Sequence, residues 1–543
     1  MRTKIYLILF YISWLFLSLQ IANSQELPTT KSFSPADTST NVEILSGVKK
    51  LEYRKIDSIT EVQILVGNVR LKQGNSFFSC DSCVINKRLN LFEAWGSVHI
   101  IDSDTINVYS DFLRYLTDKK IAYLTKNVKL TDGKGTLTTQ NMEYDVNTKV
   151  GIYKKGGKVV SKKTVLTSDE GIYYADLKDV YFRKNVFLKD PSYTLKSDSL
   201  LYNTRTEISR FISETIIKDS SNRTVHTKDG FYNPKMGKAE FNQRPLIIDG
   251  SIRATGNKVI SDDSSGITQF YGNAIFVDTA ESRTVIAGEV FINKKTESFL
   301  ASKNPLMILK QENDSIFVAA DTLFSSKLSA LYLSKDTINK KEQRKKINDV
   351  NKTDSTNRYF EAYRNVRIFN DSLQAVCDSL FYSYQDSTFR LFKNPVVWAK
   401  ENQIFGDTIL LFTKNNKAEK MDVFKNSFII SRVQAEIYNQ IKSVRLNAFF
   451  KNGTIDSVRA RGLANCIYFI QDQDSAFTGI NQSAADIIDI FFREGELNRI
   501  VFRSEVQGTI WPIQQKKPEE MRLPNFKWME NRRPKTKYEL FEQ

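Results

Sequence analysis

Histidine is almost missing from this 543-residue chain: His99 and His226 are the only two. Each lies in a strand-like segment far from a convincing partner, so a histidine-based nucleophile relay or a zinc site is poorly supported. Cysteine is scarce as well, with Cys80, Cys83, Cys377 and Cys466. Cys80 and Cys83 form a Cys-x-x-Cys pair, but no second pair or nearby histidine completes a metal or redox site. On one strand their odd offset places them on opposite faces, against a simple bridge unless a turn intervenes. Gly133-Lys134-Gly135 and Gly156-Gly157-Lys158 lack the flanking strand and helix of a phosphate loop. The dense Gly-Gly-x-Gly-x-Asp pattern of calcium-binding repeats is also missing. No metal and no cofactor is therefore expected. Proline is sparse (11 residues), whereas Phe (36) and Tyr (23) are abundant, a balance that suits extended strands.

Long hydrophobic runs are lacking except at the N-terminus. There Met1-Arg2-Thr3-Lys4 precedes an apolar run from Ile5 to Ala22, and Ala22-Asn23-Ser24 offers small residues for cleavage. This is the layout of a secretory signal peptide over 1–24, cut before Gln25; the alternative is an uncleaved anchor of bilayer length. The formal charge is +16. In an exported protein that excess points to anionic lipid head groups or phosphorylated glycolipids rather than nucleic acid, or simply to a basic, soluble surface.

What the sequence does have is repetition. An acidic residue, an apolar residue two on and a tyrosine four on recur as Asp111-Phe112-Leu113-Arg114-Tyr115, Asp198-Ser199-Leu200-Leu201-Tyr202 and Asp378-Ser379-Leu380-Phe381-Tyr382. Asp169 to Tyr173 is a variant, and Gln140 to Tyr144 and Lys228 to Tyr232 keep only the tyrosine. Anchors at 81, 111, 140, 169, 198 and 228 are spaced by 29 or 30 residues; weaker copies fall near Lys258 and Gly288, and Asp321, Asp378 and Asp407 resume the phase. Midway lies a second element, Asn or Gly followed by Val-x-Leu-like alternation: Asn127-Val128-Lys129-Leu130, Asn185-Val186-Phe187-Leu188 and Asn365-Val366-Arg367-Ile368. Both elements have period two, the strand signature, so Asp, Leu and Tyr of one unit share a face. Asn or Gly before the valine suits a turn with positive φ. Each repeat reads as about two strands and two turns, which must stack on neighbours to bury an apolar face. The expected fold is all-β: an elongated β-jelly roll or β-solenoid built from repeats of about 30 residues.

The period marks the boundaries: linker 25–41, β-repeat region 42–334, a charged inserted loop 335–357, a second β-repeat region 358–511 and a Pro-containing basic tail 512–543 that ends the sheet. The repeated aspartates invite a glycosidase reading, since paired carboxylates do acid–base work. They recur once per repeat, however, and a catalytic pair needs two unlike environments; a turn-facing or strand-start role is favoured, and no enzyme activity is expected.

Asp-x-Leu-x-Tyr alternating with Gly/Asn-x-Val resembles the OstA/LptA family of lipopolysaccharide-transport proteins. The pattern runs from about Val62 to Phe502 and is strongest over Val62–Tyr202 and Phe360–Phe412. Its length and basic tail are similar to those of OstA-like proteins of Bacteroidetes-type bacteria. The resemblance implies a periplasmic bridge, possible association with the outer membrane, an apolar jelly-roll interior that takes lipid A acyl chains, and joining to other transport proteins through sheet edges. By matching motif positions, the lipid groove would include Leu113, Tyr115, Leu200, Tyr202, Leu380 and Tyr382 from the first element. Val128, Leu130, Val186, Leu188, Val366 and Ile368 would come from the second. For each, plain core packing is the competing reading. The C-terminal membrane barrel of the translocon relatives is not expected here. The alternative function is a non-catalytic envelope scaffold or adhesin.

Overall fold

The structure, a computed structural model, describes residues 41–541 except 104, 311–314, 336–355, 415–416, 452–453, 473 and 494–495. The expected signal peptide, almost all of the linker and most of the charged loop lie outside the described residues. The chain divides into two compact units, Met1–Leu130 with Asn141–Gly151, and Thr131–Gln140 with Ile152–Gln543. Both are built mainly of antiparallel β-strands. The end of the first β-repeat region, 42–334, is not strand: Leu328–Lys335 is an α-helix.

The repeat is two strands of about eleven residues, each bent in the middle, and the two sequence elements sit at the bends. In the Asp179–Lys189 strand, the first half pairs with Glu170–Tyr174 and the second with Thr164–Ser168. Between the halves Lys184 and Asn185 both have positive φ, and the register against Tyr193–Asn203 shifts by one residue. This is a β-bulge, which bends a strand. The Asn element is therefore a mid-strand corner and not a chain reversal. The same paired left-handed residues occur at Lys126-Asn127, Arg364-Asn365 and Lys425-Asn426.

The aspartates belong to these corners. Asn127 donates to Asp111 (2.7 Å), Asn185 to Asp169 (2.6 Å), Asn365 to Asp321 (3.1 Å) and Asn426 to Asp407 (3.2 Å). Asp378 meets Lys393 at 3.1 Å. On the Asp-bearing strand the corner also resets the alternation: Val108 and Ser110 are buried before it and Leu113 and Tyr115 after it, with Asp111 exposed between. Asp thus does not share a face with Leu and Tyr. The same reset at Asp81 turns both Cys80 and Cys83 inward, as unbridged buried thiols; hydrogen bonding with Cys80 and burial raise the Cys83 thiol pKa.

In the second unit the two halves of the bent strands build two layers. One runs through Thr215–Asp219, Thr224–Thr227, Leu246–Asp249 and Ile252–Thr255 to the later half of Ile267–Asp278. The other runs through Ser209–Phe211, Asp229–Asn233, Lys238–Asn242 and Lys258–Asp262 to its earlier half. The layers face each other: Tyr193 meets Tyr232, and Phe276 meets both Phe270 (4.7 Å) and Phe299 (5.3 Å).

The C-terminal tail does more than end the sheet. Over Leu306–Ile480 the first layer is apolar on both faces: Met307, Val318, Val397 and Ile429 point inward, and Leu306, Ala319, Trp398, Phe428 and Ile430 point outward, all buried. The tail returns across that outer face. Met521 and Leu523 pack on Phe428, Ile430 and Phe469; Met529 packs on Trp398; Leu540 packs on Leu306 and Phe369. Buried glutamines hold its backbone. Gln440 donates to Met521 O (2.8 Å) and accepts from Leu523 N (2.8 Å), and Gln403 donates to Lys527 O (2.7 Å) and accepts from Met529 N (2.7 Å). Prolines suit this path because a segment lying across strands donates to no ladder.

Candidate functional site

The tyrosine four residues after each anchor decides where the interior is full. Tyr115, Tyr144, Tyr173 and Tyr202 are at most 1 % exposed. The first three carry their hydroxyls to polar groups about forty residues earlier. Tyr115 donates to Gln73 (2.7 Å), Tyr144 to Asp102 (2.8 Å) and Tyr173 to Asp132 (2.5 Å). Burial raises the pKa values of Tyr115 and Tyr173, so both stay protonated donors. The fourth, Tyr202, is buried with no hydrogen-bond partner for its hydroxyl.

Beyond it the series fails. Tyr232 is half-buried, and the equivalent positions are then Asp262, Ile292 and Ser325. Asp262 instead caps its own hairpin, accepting from Ser264 N. Where the phenol rings stop, the layers enclose a cavity of about 780 Å³ whose lining includes Ile292 and Ser325. Ala254, Phe276 and Met307 line it from one layer and Phe270, Phe299 and Leu323 from the other. That size and apolar lining fit a small-molecule or hydrocarbon ligand. The mouth is not a cation cluster. Arg223, Arg283, Lys294 and Arg358 are matched by Asp219, Asp249, Asp278, Glu281 and Glu297. Arg223 meets Asp219 at 2.9 Å and Arg283 meets Asp278 at 3.3 Å. Lys294 has a lowered pKa because the walls partly desolvate it and Arg223 lies close.

The twelve positions singled out from the sequence all lie within strands. Leu113, Tyr115, Val128, Leu130, Val186, Leu188, Leu200, Tyr202, Val366, Ile368 and Leu380 are buried, and Tyr382 is partly buried. None of them lines the cavity. Sequence reasoning missed Ile292 and Ser325; the signal was available, as the tyrosine lost from an otherwise regular series. Among the described residues no group of histidine, cysteine and carboxylate side chains is placed to hold a metal, and no helix is long and apolar enough to cross a membrane.

No curated protein matches the chain. Residues 40–198 match the family model described as OstA-like protein, a stretch that includes Tyr115, Tyr144 and Tyr173 and stops before the cavity. Over that stretch, less than a third of its length, the chain is similar to the OstA-like protein family.

Proposed function

We propose that the protein is a periplasmic component of lipopolysaccharide transport, a non-catalytic bridge that holds lipid A acyl chains between the layers of a β-jelly roll. The single observation that carries this reading is the apolar cavity of about 780 Å³ in a chain whose earlier repeats match the OstA-like family. Each buried methylene contributes roughly 0.8 kcal/mol, so an acyl chain seated there is held without a charged clamp. The balanced mouth leaves the head group outside. The export-type N-terminus supports a periplasmic setting, and the sheet edges offer strand pairing to other transport proteins. The twelve strand positions would then be the walls of the same interior where it is closed.

The test is photo-crosslinking in cells. A photoreactive residue at Leu323, inside the cavity, is expected to capture lipopolysaccharide or a related anionic glycolipid; one at exposed Ile286 is not. Equal capture at both, or at neither, refutes an interior route. The second reading, an envelope scaffold or adhesin, is favoured by the closed tyrosine-filled repeats, and absence of lipid at Leu323 would select it.

A further inference from the structure

The outward face of the second layer, near the C-terminus, carries a concentration of cations unlike the cavity mouth. Five neighbouring strands place Lys420, Arg445, Arg459, Arg461, Arg499 and Arg503 there, against two carboxylates, Asp422 and Asp489, for a formal excess of four. Both carboxylates are buried and already shared. Asp422 holds Lys420 (2.9 Å) and Arg445 (3.1 Å), and Asp489 holds Arg459 (2.5 Å) and Arg503 (2.9 Å). Arg461 is exposed, lies directly across the ladder from Arg445 and has no ion-pair partner among the described residues. Like charges placed opposite each other destabilise a sheet unless an anion lies over them.

The corner beside this face carries an exposed leucine at its left-handed position, where the other corners carry polar residues, with Asp486 across the ladder from it. Leu463 has φ of 49° and is 77 % exposed. It is the one apolar residue among the described non-glycine residues with positive φ; elsewhere these are Asn, Ser, Lys, Arg, Gln or Glu. A leucine there is strained, and its side chain gains no burial. Val444, 54 % exposed, lies against the adjoining Gly462. Guanidinium groups next to a projecting aliphatic corner match a bilayer interface, with its anionic head groups and accessible acyl region.

We propose that this face docks on an anionic membrane surface, with the arginines over lipid phosphates and Leu463 inserted between head groups. The proposal does not depend on what the interior carries. The test is flotation of the full chain with vesicles of phosphatidylcholine alone or of an equimolar mixture with phosphatidylglycerol. Phosphatidylcholine alone sets the background from the apolar N-terminal run common to all variants. Wild type is expected to float with the mixed vesicles. Arg461→Glu with Arg499→Glu should lower partitioning about tenfold or more, since each cation near the surface matters. Lys154→Glu with Lys155→Glu, the same charge change on exposed residues elsewhere, should lower it far less. Leu463→Asn should weaken binding several-fold while leaving the thermal midpoint unchanged or higher, which separates docking from misfolding. Equal loss for the two charge reversals, wild-type flotation indifferent to phosphatidylglycerol, or release by inorganic phosphate alone would overturn the proposal.

Discussion

Restoring the missing tyrosines should close the cavity. Ile292 and Ser325 occupy the positions held by Tyr115, Tyr144 and Tyr173 in earlier repeats, and both line the open space. Ile292→Tyr adds a ring pointing into a volume of about 780 Å³ without removing a side-chain hydrogen bond. Ser325→Tyr does the same at the loss of a bond to Tyr359 O (2.9 Å). The new ring buries apolar area at roughly 25 cal/mol per Å², so folding is not weakened. For an acyl chain the effect has the opposite sign. Excluding three methylenes removes about 2.4 kcal/mol at ~0.8 kcal/mol each, roughly a 50-fold loss of affinity. The assay is lipid extracted from purified protein, together with titration of a fluorescent fatty acid, beside a thermal melt. Lipid content and affinity equal to wild type in a folded Ile292→Tyr, Ser325→Tyr double variant would refute the argument that the gap in the series is the ligand site.

Three further outcomes are expected. Gln403→Leu leaves Lys527 O and Met529 N without partners on a buried face, so urea unfolding should show a loss of about 2–5 kcal/mol; a loss below ~1 kcal/mol would mean the tail is not fastened there. Asp489 is held below the usual carboxylate range by hydrogen bonds from Arg459 and Arg503, against the opposing effect of burial. A depressed folded pKa contributes stability above the unfolded value and loses it as pH falls through the folded one, so Arg459→Gln should lower the melting point at pH 7 and make little difference near pH 2. Burial pushes the Cys377 and Cys466 thiols up to about 12, so a thiol reagent at pH 8 should label neither until denaturant is added; prompt labelling in the native state would contradict their placement. Leu200 and Leu380 are at most 2 % exposed, so loss of lipid binding on placing Asp at either would report unfolding, not a blocked groove.

Period two, the thirty-residue spacing and the aromatic-rich composition were enough to establish strands and stacking, because alternation and repetition are local properties of the chain. The positive φ of the Asn element was legible for the same reason. That the element is a bend and not a reversal was not, since a bulge is defined by the partner strand's register. The inward turn of both Cys80 and Cys83 followed from that bend. Leu306-Met307-Ile308 and Val396-Val397-Trp398 are continuous apolar runs because the layer they belong to is covered on both faces, which no local period reveals. What covers its outer face is the tail, joined to it by contacts from Gln374, Gln403 and Gln440 to residues more than eighty positions away. The tyrosines were visible one by one, but whether each fills the interior depends on what stands on the facing layer. Only the tertiary structure brings those two layers together, and so only it decides where the core is closed and where a cavity remains.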